Sequence, residues 1–405
     1  MSAEQGYGKI VTNGLVFAYD TGDSRNSYLG APTTNLFDED NMAVYDNVPG
    51  DVTVTLTKTS SSYKGAAIWK EVITPITETG ISYLKNANNP GIGVYQGTTP
   101  FYTADGYTGC SIFFKPTVQM SSAPILNNYS NMNGWVAGNY TTYDDMGDGW
   151  FRAWTLWTSG SNGSDGKFWA INPYTSSLNV PIEVYWAGPF KEAQNRQWVS
   201  RYTKTHRSVS SSLFPLIGTA SLDLSNVSFV TENMTFNGSN NYISFPNETT
   251  FDTQTLSIES ICNPAMVAQD GFLFEKGALN TQINLFFFSG NLFVFRTYGI
   301  SPNELYFTST DAFTVNQWHH VVATFNGNTQ TIYVNGRQIA QATGLTGTIT
   351  YDNGGQSIGR YGGHTGGAHG YYFTGSIAVT RFYNRALTQA EVKQNFNAQK
   401  TRFGL

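Results

Sequence analysis

The run QWHHVVATFNGNTQTIYVNGRQIAQATG, residues 317–344, decides the fold class. Residues 318–325 and 329–334 are dense in β-branched and aromatic side chains, and each stretch is followed by an Asn-Gly pair, 326–327 and 335–336. Asn-Gly accepts the positive φ angles that tight hairpins need, so the run reads as three short antiparallel strands. Alternation puts Ile332 and Val334 on one face and Thr331, Tyr333 and Asn335 on the other. A chain organised around such hairpins is all-β.

Composition agrees. In 405 residues there is room for two or three domains, each with its own core. Aromatic residues (15%) outnumber charged ones (13%), which suits a sheet protein that covers its surface with amides and hydroxyls. A net charge of −5 supplies no basic field, so a nucleic-acid partner is excluded on electrostatic grounds. No apolar run is long enough to span a bilayer, and membrane insertion is not expected. The opening MSAEQGYGKIVTNG is polar and does not read as a secretion signal. Cys110 and Cys262 sit in separate apolar, strand-like runs and read as buried free thiols. A surface-binding composition without signal or disulfide fits a virion protein that folds in a host cytoplasm and leaves by lysis.

Along the chain, residues 10–20 form a strand with Leu15, Phe17 and Tyr19 on one face, followed by a polar stretch with a turn at Pro32. From 36 to 194 short strands (52–56, 109–115, 149–158, 166–171, 182–188) alternate with Gly, Pro and Asn turns, the spacing of a β-sandwich. Residues 195–220 are basic, hydroxyl-rich and short of core residues, and read as a linker. A second β block follows over 221–405 and ends in one short helix from Thr388 to about Lys400. There Thr388 and Glu391 form a capping box, while Val392 and Phe396 share a face. The expected fold is thus all-β, with two β-sandwich domains and a short C-terminal helix.

Four stretches of the second block resemble the laminin-G-like jelly roll of the concanavalin-A-like lectin and glucanase superfamily: MTFNGSNNYISF (234–245), 317–339, QSIGRYGG (356–363) and FTGSIAVTRFYNRALTQAEVKQNF (373–396). The opening NGLVFAYDTGDSRNSY (13–28) resembles the first strand of the same domain type in phage structural proteins. The resemblance implies that residues 1–35 carry a strand of the C-terminal domain, pairing near 376–383, and that 36–194 is an insertion. The inserted block resembles carbohydrate-binding-module-like sandwiches at DGWFRAWTLWTSG (148–160) and VPIEVYWAGPFKEA (180–193).

Paired carboxylates would signal a glycosidase. The strand-borne Glu-x-Asp-x-x-Glu of the glucanase branch is missing, since Glu259 has no acidic partner two or three residues on, and no catalytic residue is assigned. Asp144, Asp145 and Asp148 read as a polar turn. Asp20 and Asp23 follow a strand where relatives of the fold hold calcium, and they are the candidate ligands for that ion. His319 and His320 are neighbours on a strand and point apart, so they cannot chelate together. Aromatic platforms remain. Trp150 and Trp154 alternate on one face of their strand, and Tyr361, His364, His369 and Tyr371 surround a Gly-rich tip; both groups are candidate sugar-binding patches.

The expected function is therefore non-catalytic. The chain reads as a phage structural protein, in a tail or neck fibre or as capsid decoration, with lectin-like domains for host-surface polysaccharide or for other virion proteins, and as a homo-oligomer, a trimer being favoured. A soluble bacterial glycan-binding lectin is the alternative, with a glycoside hydrolase or lyase behind it.

Overall fold

The computed structural model describes residues 9–23, 26–35, 40, 42–46, 50–78, 82–86, 107–118, 125–126, 142–158, 167–171, 177–194, 199–204, 206–229, 234–277, 283–361 and 371–405. The chain divides into two compact units, one formed by 1–32 with 208–405 and the other by 33–207.

The first unit is a sandwich of two antiparallel sheets. One carries, in order, Leu15–Asp20, Thr374–Tyr383, Leu256–Pro264, His319–Phe325, Thr329–Val334 and Arg337–Thr343, with Phe236–Asn237 pairing to one end of Thr374–Tyr383. The other runs Ile243–Phe245, Gln356–Ile358, Gly271–Lys276, Ile283–Phe288, Leu292–Thr297 and Glu304–Thr308. Their inner faces meet in one continuous core that includes Phe17, Ile258, Val321 and Phe382 from the first sheet and Phe274, Leu285, Phe293 and Ile358 from the second. Phe251 bridges the layers, with ring centroids 4.7 Å from Phe382 and 6.1 Å from Phe274.

The deciding run forms its three strands, but the two turns differ. Asn335 and Gly336 both adopt positive φ (49° and 74°) in a two-residue loop between paired Val334 and Arg337. At the first turn only Gly327 does so, and the loop extends through Asn328 because the Asn326 side chain accepts hydrogen bonds from the Asn328 and Thr329 amides. Ile332 and Val334 enter the main core while Tyr333 packs on the opposite face, under the C-terminal helix. That helix runs Gln389–Phe403, with a complete Thr388–Glu391 capping box and a left-handed Gly404 cap.

The Leu15–Asp20 strand pairs antiparallel with Thr374–Tyr383, from Leu15 opposite Tyr383 to Asp20 opposite Val379. A bulge at Val16 breaks the alternation, so Phe17 and Tyr19 enter the main core whereas Leu15 packs with Tyr383, Leu387 and Val392 beneath the helix. The single face expected for Leu15, Phe17 and Tyr19 is therefore split.

The second unit pairs a six-stranded sheet (Val52–Tyr63, Ala66–Pro75, Ile182–Gln194, Tyr107–Pro116, Trp150–Thr158, Thr142–Gly147) with a four-stranded one (Met42–Asp46, Ser82–Asn86, Lys167–Ile171, Ile125–Leu126). Met42 of the smaller sheet joins Trp69, Ile112, Phe114 and Trp186 of the larger in its core. The Trp186 indole donates to the buried Glu71 carboxylate at 2.7 Å.

Part of the stretch read as a linker is packed: Val199, Ser200, Arg207, Ser212, Leu213 and Ala220 are buried, while Val209, Phe214 and Ile217 stay exposed. The Ser200 amide donates to Glu192 at 2.6 Å, and His206–Arg207 pairs with Thr33–Thr34 inside the second unit. Leu213 and Ala220 enter the core of the first unit, where the Phe214 amide donates to the Ser27 carbonyl and the Ser27 hydroxyl to the Phe214 carbonyl, each at 2.8 Å. Hydroxyl-rich sequence here satisfies backbone groups and does not leave them to water.

Because Phe17 lies buried, stacked on Phe245 and tilted against Phe251, its truncation should be felt globally. Phe17→Ala should cost about 3–5 kcal/mol in urea unfolding of the full chain. A loss under about 1 kcal/mol would show that the N-terminal strand is dispensable to this core.

Candidate functional site

Glu259 is the carboxylate with the most organised surroundings. It is fully buried on the face of its strand opposite the main core, under the C-terminal helix. Its Oε1 accepts from Arg381 Nη1 at 2.6 Å and stands 3.0 Å from His320 Nε2. Oε2 accepts from Asn395 Nδ2 at 2.7 Å and Tyr383 Oη at 3.2 Å. Asn395 also receives the Val11 amide at 2.8 Å, so helix, sheet and N-terminal segment meet on one carboxylate. Burial alone would raise the Glu259 pKa, but Arg381 and His320 hold it well below the usual carboxylate range, at about 2. With four neighbours and no exposure, this group is structural.

Its loss should be large and pH-dependent. The folded value lies below the ordinary one of 4.5, so the ionised carboxylate stabilises the fold above that pH and the contribution fades as pH falls towards about 2. Glu259→Gln takes from buried Arg381 its nearer carboxylate, leaving only Asp20 at 3.8 Å, and should cost about 3–5 kcal/mol at neutral pH in urea denaturation. The gap between wild type and variant should narrow at about pH 3; a gap that is constant with pH would remove the ion pair from this role.

The surface that can receive a ligand is elsewhere, on the outer face of the six-stranded sheet of the same unit. A bulge at Leu273 turns Phe272 outward opposite Phe286, and the two rings stack at 4.4 Å and 7°. Val294 and Tyr306 continue the row across the next strands, opposite Phe286 and each other. Tyr361 leans on Phe272 at 5.1 Å, and Tyr371 meets Tyr361 edge-on at 6.0 Å. Tyr371 is 49% exposed, Phe288 40% and Tyr306 57%, so the row opens to solvent at both ends. Arg296 lies 4.9 Å from the Phe286 ring centre and is held by Glu304 at 2.5 Å.

At the Tyr371 end lies a concavity of about 290 Å³ lined by Tyr371, Tyr372, Gln269, Asp270, Ser289 and Thr374. Asp270 Oδ1 accepts the Ser289 amide at 2.6 Å, which fixes the carboxylate at the rim with its second oxygen available. Tyr371 holds a positive φ of 70°, an uncommon conformation for a tyrosine, and its carbonyl accepts the Phe272 amide at 3.3 Å. A flat exposed ring beside a fixed acceptor and a hydroxyl can stack on one face of a polyhydroxylated ring and bond its edge.

The sequence-derived candidates separate accordingly. Tyr361 and Tyr371 come together as described, while His364 and His369 lie outside the described residues. Trp150 is only 7% exposed, stacked face to face on Tyr63 at 4.1 Å; it is a core side chain and not a platform. Trp154 is half-buried, with its indole donating to Asp144 at 2.9 Å, so this ring is tethered across the strand pair. Trp150 and Trp154 therefore do not form one open surface.

Asp20 and Asp23, the candidate calcium ligands, both have hydrogen-bond partners within the protein. Asp20 Oδ1 accepts from Arg402 Nη1 at 2.5 Å, and Arg381 stands 3.8 Å from Oδ2, so this carboxylate faces two guanidinium groups. Asp23 Oδ1 accepts the Asn26 amide at 3.0 Å in a local turn. Among the described residues no group of three or more His, Cys, Asp or Glu is placed to hold a metal ion. Cys262 is a buried free thiol whose pKa burial pushes up, and the side chain of Cys110 lies outside the described residues.

Sequence reasoning missed Asp270, Tyr372, Phe272 and Phe286. The signal was present in INLFFF (283–288) and LFVFRT (292–297), where aromatic residues occupy both faces of adjacent strands. Only one of those faces can be the sandwich core.

No helix among the described residues is long and apolar enough to cross a membrane. No curated protein matches the sequence. Among solved structures, the chain is similar to the binding domain of botulinum neurotoxin serotype G, with 15% identity over 47% of this chain and 49% of that one and a TM-score of 0.38. It is similar to the Ruminococcus gnavus IT-sialidase CBM40 bound to alpha2,3 sialyllactose, with 14% identity over 35% of this chain and 81% of that one and a TM-score of 0.30. It is also similar to domain 4 of AbnA, a GH43 extracellular arabinanase from Geobacillus stearothermophilus, in complex with arabinotriose, with 19% identity over 44% and 81% and a TM-score of 0.32. The chain thus spans about half the length of the neurotoxin chains it resembles. Residues 237–393, which hold the strands of this site, match the laminin-G-type family model described as Concanavalin A-like lectin/glucanases superfamily.

Proposed function

We propose that this protein is a non-catalytic glycan-binding protein whose ligand sits in the Tyr371–Asp270 concavity. The observation that carries this reading is the exposed Tyr371 ring standing beside the fixed Asp270 carboxylate over a row of stacked aromatics. Stacking supplies contact area at low entropic cost, and the acid and hydroxyls orient the sugar. Non-catalysis is supported by Glu259, whose carboxylate is engaged on both oxygens and shut away from solvent. The finer reading is a phage virion protein, assembled in the host cytoplasm as a homo-oligomer, a trimer being favoured, that holds host-surface polysaccharide. It is supported by the phage-like opening strand at 13–28. Mass spectrometry of purified particles tests that placement, and absence of the chain from them rejects it.

A glycan array probed with the full chain tests the site. Tyr371→Ala should weaken the best-bound glycan by about tenfold, equivalent to about 1.4 kcal/mol, with little change in melting temperature. Undiminished binding by Tyr371→Ala, or release of reducing ends from the bound polysaccharide, would reject this reading.

A further inference from the structure

We propose a second binding site, for a saccharide bearing carboxylate or sulfate groups, in the groove between the Asn335-Gly336 turn and the C-terminal helix. The groove holds about 570 Å³ and is lined by Arg337, Lys393, Lys400, Phe396, Gln338 and Asn397, among others. That volume falls in the range of about 300–1,000 Å³ usual for small-ligand sites.

Its shape is built in. Lys393, Phe396, Asn397 and Lys400 recur at three- and four-residue spacing and so share one face of the helix. A Cβ on Gly336 would lie 2.9 Å from the Phe396 ring, so only glycine lets the turn come this close. The neighbouring Asn335 is pinned, since its side chain accepts the His320 amide at 2.9 Å, and Phe396 packs 5.8 Å from the His320 ring.

Its charge is uncompensated. Elsewhere in the unit Lys276, Arg296, Arg381, Arg385 and Arg402 each meet a carboxylate within 3.0 Å. Among the described residues Arg337, Lys393 and Lys400 meet none, and the acid of the helix, Glu391, is committed to Arg385 at 2.7 Å. Three like charges converging on one cavity in a chain of net charge −5 are stabilised by an anion entering it. Helix polarity accounts for Lys400, which lies in the last turn, but for neither Lys393 nor Arg337.

The remaining lining chooses among anions. Gln338 and Asn397 offer donors and acceptors suited to hydroxyl groups, and Phe396 gives one apolar floor flanked by Lys400 at 5.9 Å. A single floor ring matches one sugar face. A single-stranded nucleic acid would need a longer basic track with successive stacking rings.

The full chain is titrated calorimetrically with trigalacturonate, a heparin-derived tetrasaccharide, maltotriose, octathymidylate and inorganic sulfate. At least one of the two acidic saccharides should bind, weaken with added salt, and bind more tightly than the other three probes. Which of the two binds separates carboxylate from sulfate recognition. Arg337→Glu with Lys393→Glu should weaken that probe by about tenfold or more, and Tyr371→Ala should leave it unchanged. If the reversed pair does not fold, Arg337→Gln with Lys393→Gln gives the same comparison. The proposal fails if neither acidic saccharide binds, if octathymidylate, maltotriose or sulfate binds as tightly, or if the charge variants bind as wild type does. It also fails if Tyr371→Ala abolishes binding, which would place the probe at the aromatic site.

Discussion

The buried carboxylate of Glu259 is the constraint on which the larger unit depends. Arg381 and Tyr383 come from one neighbouring strand, His320 from the other, and Asn395 from the helix, while Val11 is bound through both Asn395 and Tyr383. Taking a carboxylate and a guanidinium out of water costs several kcal/mol each, so an ion pair alone is a poor source of stability. What it supplies is position. The carboxylate is satisfied only when all five segments are in place, and a one-residue slip of any strand would turn its polar member into the main core. The Val11–Asn395 bond spans 384 positions, so closing this unit carries the loop-closure cost of a very long-range contact.

That closure explains which parts of the fold were legible. Asn335-Gly336 and the Thr388–Glu391 box are local devices whose backbone geometry follows from a few adjacent residues, and both form as read. The bulges at Val16 and Leu273 carry no comparable local signal. They answer to the partner strands, and each reassigns a side chain to the other face. Thr331 and Tyr333 look like a solvent face by alternation, yet both are buried, Tyr333 against Val392 of the C-terminal helix and Thr331 beside Gln341 of the next strand. The hydroxyl-rich 199–220 stretch misled for a related reason. Its Ser208, Ser211 and Ser212 hydroxyls bond to one another and to the Ser208 carbonyl in a local turn, and the Phe214 carbonyl accepts the distant Ser27 hydroxyl, which composition cannot reveal.

The same distinction runs through the site. Tyr361 and Tyr371 flank one short Gly-rich stretch of sequence, so their proximity could be read directly. Trp150 could not be judged from its strand alone, because the ring that covers it, Tyr63, lies 87 positions earlier. Asp20 looked like a metal ligand because its guanidinium partner, Arg402, stands 382 residues away. Asp270 reaches the concavity only through its bond to the Ser289 amide on the neighbouring strand connection.

The aromatic concavity and the cationic groove share no lining residue: the first is lined by Thr374 of the seven-stranded sheet with Asp270 and Ser289 from strand connections, and the second lies between the Asn335-Gly336 turn and the helix. The interior of the unit is a single close-packed core of aromatic and aliphatic side chains. Two ligands could occupy these sites without steric competition. Energetic coupling between them would need an element with two arrangements that both ligands bias. A core whose rings interlock across both layers, from Phe17 through Phe251 to Phe274 and Phe382, offers its neighbours little freedom to rearrange.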